Sequence, residues 1–194
     1  MKHQQPPATA ILFGSRYMNK ILLAIISILF PVYLSGQIVT GISANIASTG
    51  YEGINFGAGL NLSVGYEFSD RFGLEIQAHR YWLRSNTWNN LNSISLHARL
   101  SPFTGNYLKP FIEFGVGVAR LTGDPITGNG QVFEIDYDLW LFKPKLGMTM
   151  PSGIHPNIFA DIGLFFQHYE FRDVDSRFNW YGINGGLKWI IPHN

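Results

Sequence analysis

Between residues 54 and 68 apolar and polar side chains alternate without a break. The even positions carry Ile54, Phe56, Ala58, Leu60, Leu62, Val64, Tyr66 and Phe68; the odd ones carry Asn55, Gly57, Gly59, Asn61, Ser63, Gly65 and Glu67. A period of two sustained this long is a β-strand with one apolar face and one small or polar face. Soluble strands average about 5–6 residues, whereas a tilted strand crossing a bilayer needs about 9–11. The alternation recurs at 91–101, 109–121, 158–170 and 179–191, and more weakly at 37–47, 72–84 and 134–150. In the last of these Leu139 and Leu141 are odd while Trp140, Phe142, Leu146 and Met148 are even. That change of phase predicts a bulge, or a strand rising above the membrane.

Eight strands result, and the segments between them alternate in kind. Residues 69–71, 102–109 and 151–157 are compact and rich in turn formers, whereas 48–53, 85–90, 122–133 and 172–178 are more polar and more varied. An even number of antiparallel strands, with short turns at one end and longer loops at the other, predicts an all-β, eight-stranded antiparallel up-and-down transmembrane β-barrel. With the N-terminus on the inner side, the compact turns fall in the periplasm.

The one long apolar run, Ile21 to Leu34, follows Asn19-Lys20, contains Pro31 and ends at Leu34-Ser35-Gly36. A basic flank, a short apolar stretch and small residues at a cleavage point describe a secretory signal peptide. The run is shorter than the roughly 20 residues a spanning helix needs. Residues 1–36 are therefore expected to be an extension and cleavable signal, with a second start offered by Met18, and residues 37–194 to form the barrel domain. The leading segment holds Lys2, Arg16 and Lys20 and no acid, so the overall charge of +1 becomes −2 in the remainder.

Composition then narrows the function classes. Hydrophobic residues are 46%, charged residues only 14%, glycines number 21, and cysteine is absent. This excludes disorder, a disulfide scaffold, cysteine-ligated metal and a cysteine nucleophile. A charge balance near zero gives no footing for nucleic acid. The polar face is mostly glycine, serine and asparagine, which weaken a solvent-facing strand but fill a narrow lumen. The polar face is therefore expected inside and the apolar face against lipid; the reverse, a soluble lipocalin-like binding barrel, is the competing reading.

Inward polar faces make a set of the isolated charges Glu67, Glu75, Arg99, Glu113, Lys145, Asp161 and Lys188. Counting across the turns sets Arg99 opposite Glu113, Lys145 opposite Asp161, Lys188 beside Asp161, and Glu75 opposite Gly65 and diagonal to Glu67. Buried charges need partners, so the facing signs support these registers. Eight strands leave little lumen, so the cluster reads as a plug that fixes register rather than a gate. On the apolar face Tyr66, Phe68, Phe72 and Trp189 at one end, and Tyr81, Trp82 and Trp88 at the other, are expected to form interfacial girdles.

The ending Leu34-Ser35-Gly36-Gln37, the hairpin Gly-Tyr-Glu-Phe-Ser-Asp-Arg-Phe-Gly-Leu-Glu (65–75), and Lys109-Pro110-Phe111 opening a glycine-alternating strand resemble the small eight-stranded outer-membrane β-barrels, the group of outer-membrane-protein-A-like and porin-like barrel domains. The resemblance covers most of 37–191. It implies a Gram-negative outer-membrane location, outer-membrane lipids and lipopolysaccharide as surroundings, the barrel-assembly machinery as a partner during biogenesis, and a monomer. Pro192-His193-Asn194 stands where such barrels often carry a terminal aromatic, which shifts the expected assembly signal inward to Trp189.

Some barrels of this kind modify lipid A. Acyl hydrolysis needs a serine beside a histidine that a third group orients. His79 and His97 are expected as cross-strand neighbours inside the barrel, with Ser95 and Ser93 on the same face and no carboxylate placed to orient either ring. The His-x-Ser-Asn segment by which lipid A deacylase barrels are recognised is absent. Catalysis is therefore not expected. Asp124, Glu134, Asp136 and Asp138, with Asp173 and Asp175, lack the spacing of a calcium loop and read as solvated acidic loops. Were they to hold cations, bridging to lipopolysaccharide phosphates would be the purpose. Gly57-x-Gly59 and Gly115-x-Gly117 lie inside strands with no following helix and are not nucleotide loops. No cofactor or metal is expected. The expected role is non-enzymatic, in envelope integrity or surface interaction; the alternatives are a lipid A-modifying acyl hydrolase and the soluble binder.

Overall fold

The computed structural model describes residues 36–191 apart from 50–53, 86–87, 104–106, 129–130, 134–135 and 174. Residues 1–35, which hold most of the expected signal segment, and residues 192–194 lie outside the described residues.

Each long alternating segment forms a strand. These are β1 (Gln37–Thr49), β2 (Ile54–Glu67), β3 (Phe72–Ser85), β4 (Trp88–Leu100), β5 (Lys109–Gly123), β8 (Asp136–Pro151), β9 (Ile158–Phe171) and β10 (Arg177–Ile191). Two short strands, β6 (Ile126–Gly128) and β7 (Gln131–Phe133), pair with each other between β5 and β8. The eight long strands close into a barrel in the order β1-β10-β9-β8-β5-β4-β3-β2, every neighbour antiparallel. Closure leaves no free edge, which a sheet in lipid requires. Below, the end where β1 begins and β10 finishes is the terminal end; the opposite one, with β6 and β7, is the hairpin end.

Local chemistry explains the turns. Ser69 Oγ accepts from the backbone N–H of Arg71 (3.3 Å) and Phe72 (3.2 Å), closing the β2–β3 turn. Gly153, at φ 74, supplies the left-handed residue of the β8–β9 turn. The expected contrast in loop length holds only through the β6–β7 insertion. β3 runs to Ser85 and β4 starts at Trp88, so the hairpin-end loop expected at 85–90 shrinks to residues 86–87, while residues 101–108 at the terminal end make a longer connection. The aromatic and polar residues at 88–90 can extend the ladder, with a register shift between Trp88 and Asn90.

The apolar face points outward. Leu62 (60% exposed), Ile94 (61%) and Leu164 (64%) stand on the outer wall, while Glu113 and His97 are fully buried inside (both 0%). This is a transmembrane barrel, with the faces of a water-soluble one reversed, so the soluble binder is set aside. The outward residues of β2 from Phe56 to Tyr66 match the length of a tilted crossing.

Two local points depart from a plain alternating wall. The pairing of β5 with β8 runs without a shift from Lys109↔Thr149 to Thr122↔Asp136, so the phase change at 139–142 is not a bulge. Leu139 and Leu141 face a hydrophobic filling inside, while Trp140 and Phe142 face outward. In addition, the β8–β9 ladder lapses between Phe142↔His168 and Lys145↔Phe165, where Pro144 has no N–H to donate.

Candidate functional site

The lumen is filled, and its two halves are filled differently. Toward the terminal end, every charge expected inside is found inside. Lys188 Nζ lies 2.5 Å from Glu75 Oε1 and 2.9 Å from Glu67 Oε1. Arg99 Nη1 donates to Asp161 Oδ2 at 2.7 Å, its Nη2 donates to Thr149 Oγ1, and its guanidinium lies 3.6 Å over the Phe111 ring. Thr149 Oγ1 in turn donates to Asp161 Oδ1 at 2.6 Å. Glu113 accepts from Gln77 Nε2 at 2.8 Å and lies 4.0 Å from Lys145 Nζ. Four carboxylates (Glu67, Glu75, Glu113, Asp161) thus face Arg99, Lys145 and Lys188, and a fourth base, Lys143, is buried next to His79, its Nζ 3.2 Å from Nε2. In a low-dielectric interior such pairing of opposite charges is the condition for burying them.

Arg99 stands opposite Glu113 and Glu75 opposite Gly65, as expected. Two other registers are corrected. Lys145 pairs with Phe165 and Asp161 with Thr149, because the β8–β9 turn is centred two residues later than assumed. Lys188 pairs with Phe159 and Asp161 with Gly186, because the β9–β10 turn is centred one residue earlier than assumed. The network survives both offsets, because the resulting partner shifts of four and two residues are even and keep each side chain on the same face. Gln77, Thr149 and Lys143 belong to it too. They share the inward parity of their strands, which is the signal that finds them.

The histidines need a larger correction. His79 pairs with Ser93 and His97 with Glu75, so the two rings are not directly opposite, although their centroids are 6.3 Å apart. Moreover, a carboxylate does reach one of them. His97 Nδ1 lies 2.8 Å from Glu113 Oε1, off the line of a ring N–H, and Nε2 lies 2.7 Å from Ser95 Oγ. Glu113 comes from β5, across the β4–β5 hairpin, one strand beyond the pair that carries the two histidines. Serine, imidazole and carboxylate thus touch in the order acyl transfer uses. All three are buried, and Gly115 lies beneath the imidazole, where a Cβ would come within 2.5 Å of Nε2. The cavity beside Glu113, lined also by Glu75, Gln77, Arg99 and their neighbours, is about 20 Å3. That is room for about one water and none for an acyl ester.

Toward the hairpin end the filling is aromatic and aliphatic. Tyr81, Leu91, Leu121, Leu139, Leu141, Phe165, Tyr169, Phe178 and Trp180 form one buried cluster. Tyr81 and Trp180 meet edge to face at 5.1 Å, and Tyr169 stacks on Phe178 at 4.9 Å. Gly57 makes the space, since a Cβ there would lie 2.7 Å from Trp180 Cη2. Tyr81 is therefore core rather than girdle, and Trp88 is half-buried against the same cluster. Trp82 and Trp189 do face outward, and Tyr66, Phe68 and Phe72 form a ring contact chain at the terminal end. The two fillings meet through amphipathic side chains. His79 stacks on Tyr81 at 6.1 Å, Lys143 Nζ lies 4.9 Å over Phe165, and Tyr169 donates to Gln167 Oε1 at 3.1 Å.

On the outer wall at the hairpin end, Arg80, Asn92, Arg120 and Asp138 are successive cross-strand partners and end the apolar belt on β3, β4, β5 and β8. The acidic residues here are largely engaged: Asp136 accepts from Arg120, Asp138 lies 3.8 Å from Arg172, and Asp124 accepts from Asn89 at 2.6 Å. Among the described residues no three His, Asp or Glu side chains are grouped for a metal. Glu134 lies outside the described residues.

The filled interior and apolar exterior define a small transmembrane barrel. No protein-family model and no curated protein matches the chain. Solved structures do match. Neisserial surface protein A covers 80% of this chain and 96% of its own at 16% identity and TM-score 0.59. The N-terminal β-barrel domain of Pseudomonas aeruginosa OprF covers 80% and 99% at 18% identity and TM-score 0.56. The outer membrane enzyme PagL covers 79% and 99% at 21% identity and TM-score 0.53. The chain has the fold of the small eight-stranded outer-membrane β-barrels.

Proposed function

We propose that the protein is a non-enzymatic barrel of a Gram-negative outer membrane, a closed scaffold whose role lies in envelope integrity or in contacts made at its rims. The observation that carries this reading is the lumen, occupied along its length by mutually paired charges in one half and packed rings in the other. On this reading residues 1–36 are removed on export, the terminal end faces the periplasm, and the monomer sits among outer-membrane lipids and lipopolysaccharide after delivery by the barrel-assembly machinery. Outer-membrane fractionation combined with gel mobility tests it. The protein should resist carbonate extraction and migrate differently before and after boiling. Extraction by carbonate with unchanged mobility would overturn it.

A second reading, an enzyme acting on lipid A, is favoured by the contact chain Ser95–His97–Glu113 and by the likeness to the fold of the enzyme PagL. Mass spectrometry of lipid A from cells carrying His97→Ala or His79→Ala decides between them. Unchanged acylation supports the scaffold; altered acylation supports the enzyme.

A further inference from the structure

On the outer wall of β3 the alternation places Arg80, Trp82 and Arg84 on one face at the edge of the apolar belt, all exposed. Arg80 lies 5.8 Å over the Trp82 ring. Among the described residues no carboxylate is within ion-pair distance of Arg80 or Arg84, whereas Arg120 and Arg172 on the same rim each have an aspartate. Beside Arg80 on β4 stands the exposed amide of Asn92. One rung nearer the membrane centre, Ala78, Ile94 and Val118 are consecutive partners, and they line a hollow of about 500 Å3 whose rim carries Asn92, Arg120 and the Asp138–Arg172 pair, with Arg80 beside Asn92 on the neighbouring strand.

The geometry points to a binding site for a phosphomonoester lipid of the leaflet at the hairpin end, its headgroup on Arg80, Arg84 and Asn92 and one acyl chain in the hollow over Ala78, Ile94 and Val118. This rests on the membrane-spanning reading above. The charge is complementary, since two guanidiniums with no carboxylate partner among the described residues face a headgroup of nearly two negative charges, and a guanidinium can hold phosphate through paired hydrogen bonds. Trp82 stands between the two arginines on the same face, its ring under the Arg80 guanidinium, in the interfacial zone where an indole is favoured. The floor of the hollow is continuous with the belt, so the chain leaves no lipid environment to enter it. Arg120 contributes less, because Asp136 already holds it.

Native mass spectrometry of the full chain in a neutral maltoside detergent tests the site, with dioleoyl phosphatidic acid and dioleoyl phosphatidylcholine as paired probes of identical chains. The wild type should retain one phosphatidic acid at about tenfold lower concentration than phosphatidylcholine. Arg80→Gln with Arg84→Gln should bring the two lipids near parity, and Arg177→Gln on β10 should leave the preference intact. Equal retention of both lipids by the wild type, or a preference surviving the double variant, overturns the site. Unheated gel mobility of each protein separates causes: compact mobility with lost preference assigns the loss to the two arginines. A wild type that stays in solution without detergent overturns the membrane reading and the site together.

Discussion

The two halves of the lumen solve one packing problem with opposite chemistry. Near the terminal end, carboxylates, lysines and an arginine interlock, and each charge is tolerable only because its partner is present. Near the hairpin end, Trp180, Tyr81, Tyr169 and Phe178 fill the same cross-section by contact area and ring geometry. The comparison teaches that a barrel of eight strands can be closed twice over, once by electrostatic pairing and once by shape. The halves should therefore fail differently: the polar one when a single partner is removed, the aromatic one in proportion to the volume lost.

The largest effect is expected from Glu113→Gln. It strips Lys145 of its acid and His97 of its contact, and removal of one member of a buried network costs about 3–5 kcal/mol. Urea unfolding from vesicles measures this; a loss under about 1 kcal/mol would mean the polar half is hydrated rather than interlocked. Trp180→Leu comes next, with a loss of about 2 kcal/mol from the incomplete refilling of a packed site. A smaller effect is expected where a pair is removed together: Glu75→Leu with Lys188→Met should cost less than Lys188→Met alone, the sign of direct coupling in a double-mutant cycle. Simple additivity of the two changes would contradict the 2.5 Å contact. Smallest of all, Arg120→Ala on the exposed rim should leave the unfolding midpoint within error, since screened surface pairs contribute little.

Much of this architecture can be read from the chain, and the misreadings have physical causes. Alternation locates all eight barrel strands, and parity alone puts the seven expected charges in the lumen. Parity is robust because an error of two residues in a turn, as at 152–157, keeps every side chain on its face while changing its partner. That is why Arg99–Glu113 and Glu75–Gly65 are legible, whereas Lys145 and Lys188 meet different neighbours from those counted. Alternation fails where both faces are apolar. Leu139, Trp140, Leu141 and Phe142 look like a phase slip, but they mark the stretch where lipid lies on one side and the aromatic filling on the other. Tyr81 misleads for the same reason: an aromatic near a strand end suits a girdle and a core equally well, and only parity separates them. Glu113 beside His97 is hidden because the contact crosses a strand pair, reached by two long side chains over the bare backbone at Gly115.

Single-channel recording in planar bilayers tests the double closure most directly. The wild-type protein should show no resolved conductance steps, and Trp180→Ala should not open one, because the polar half still blocks the lumen. Steady wild-type channels that disappear with Arg99→Ala or Glu113→Ala would contradict the account, since the interlocked charges would then line a conducting path instead of sealing it.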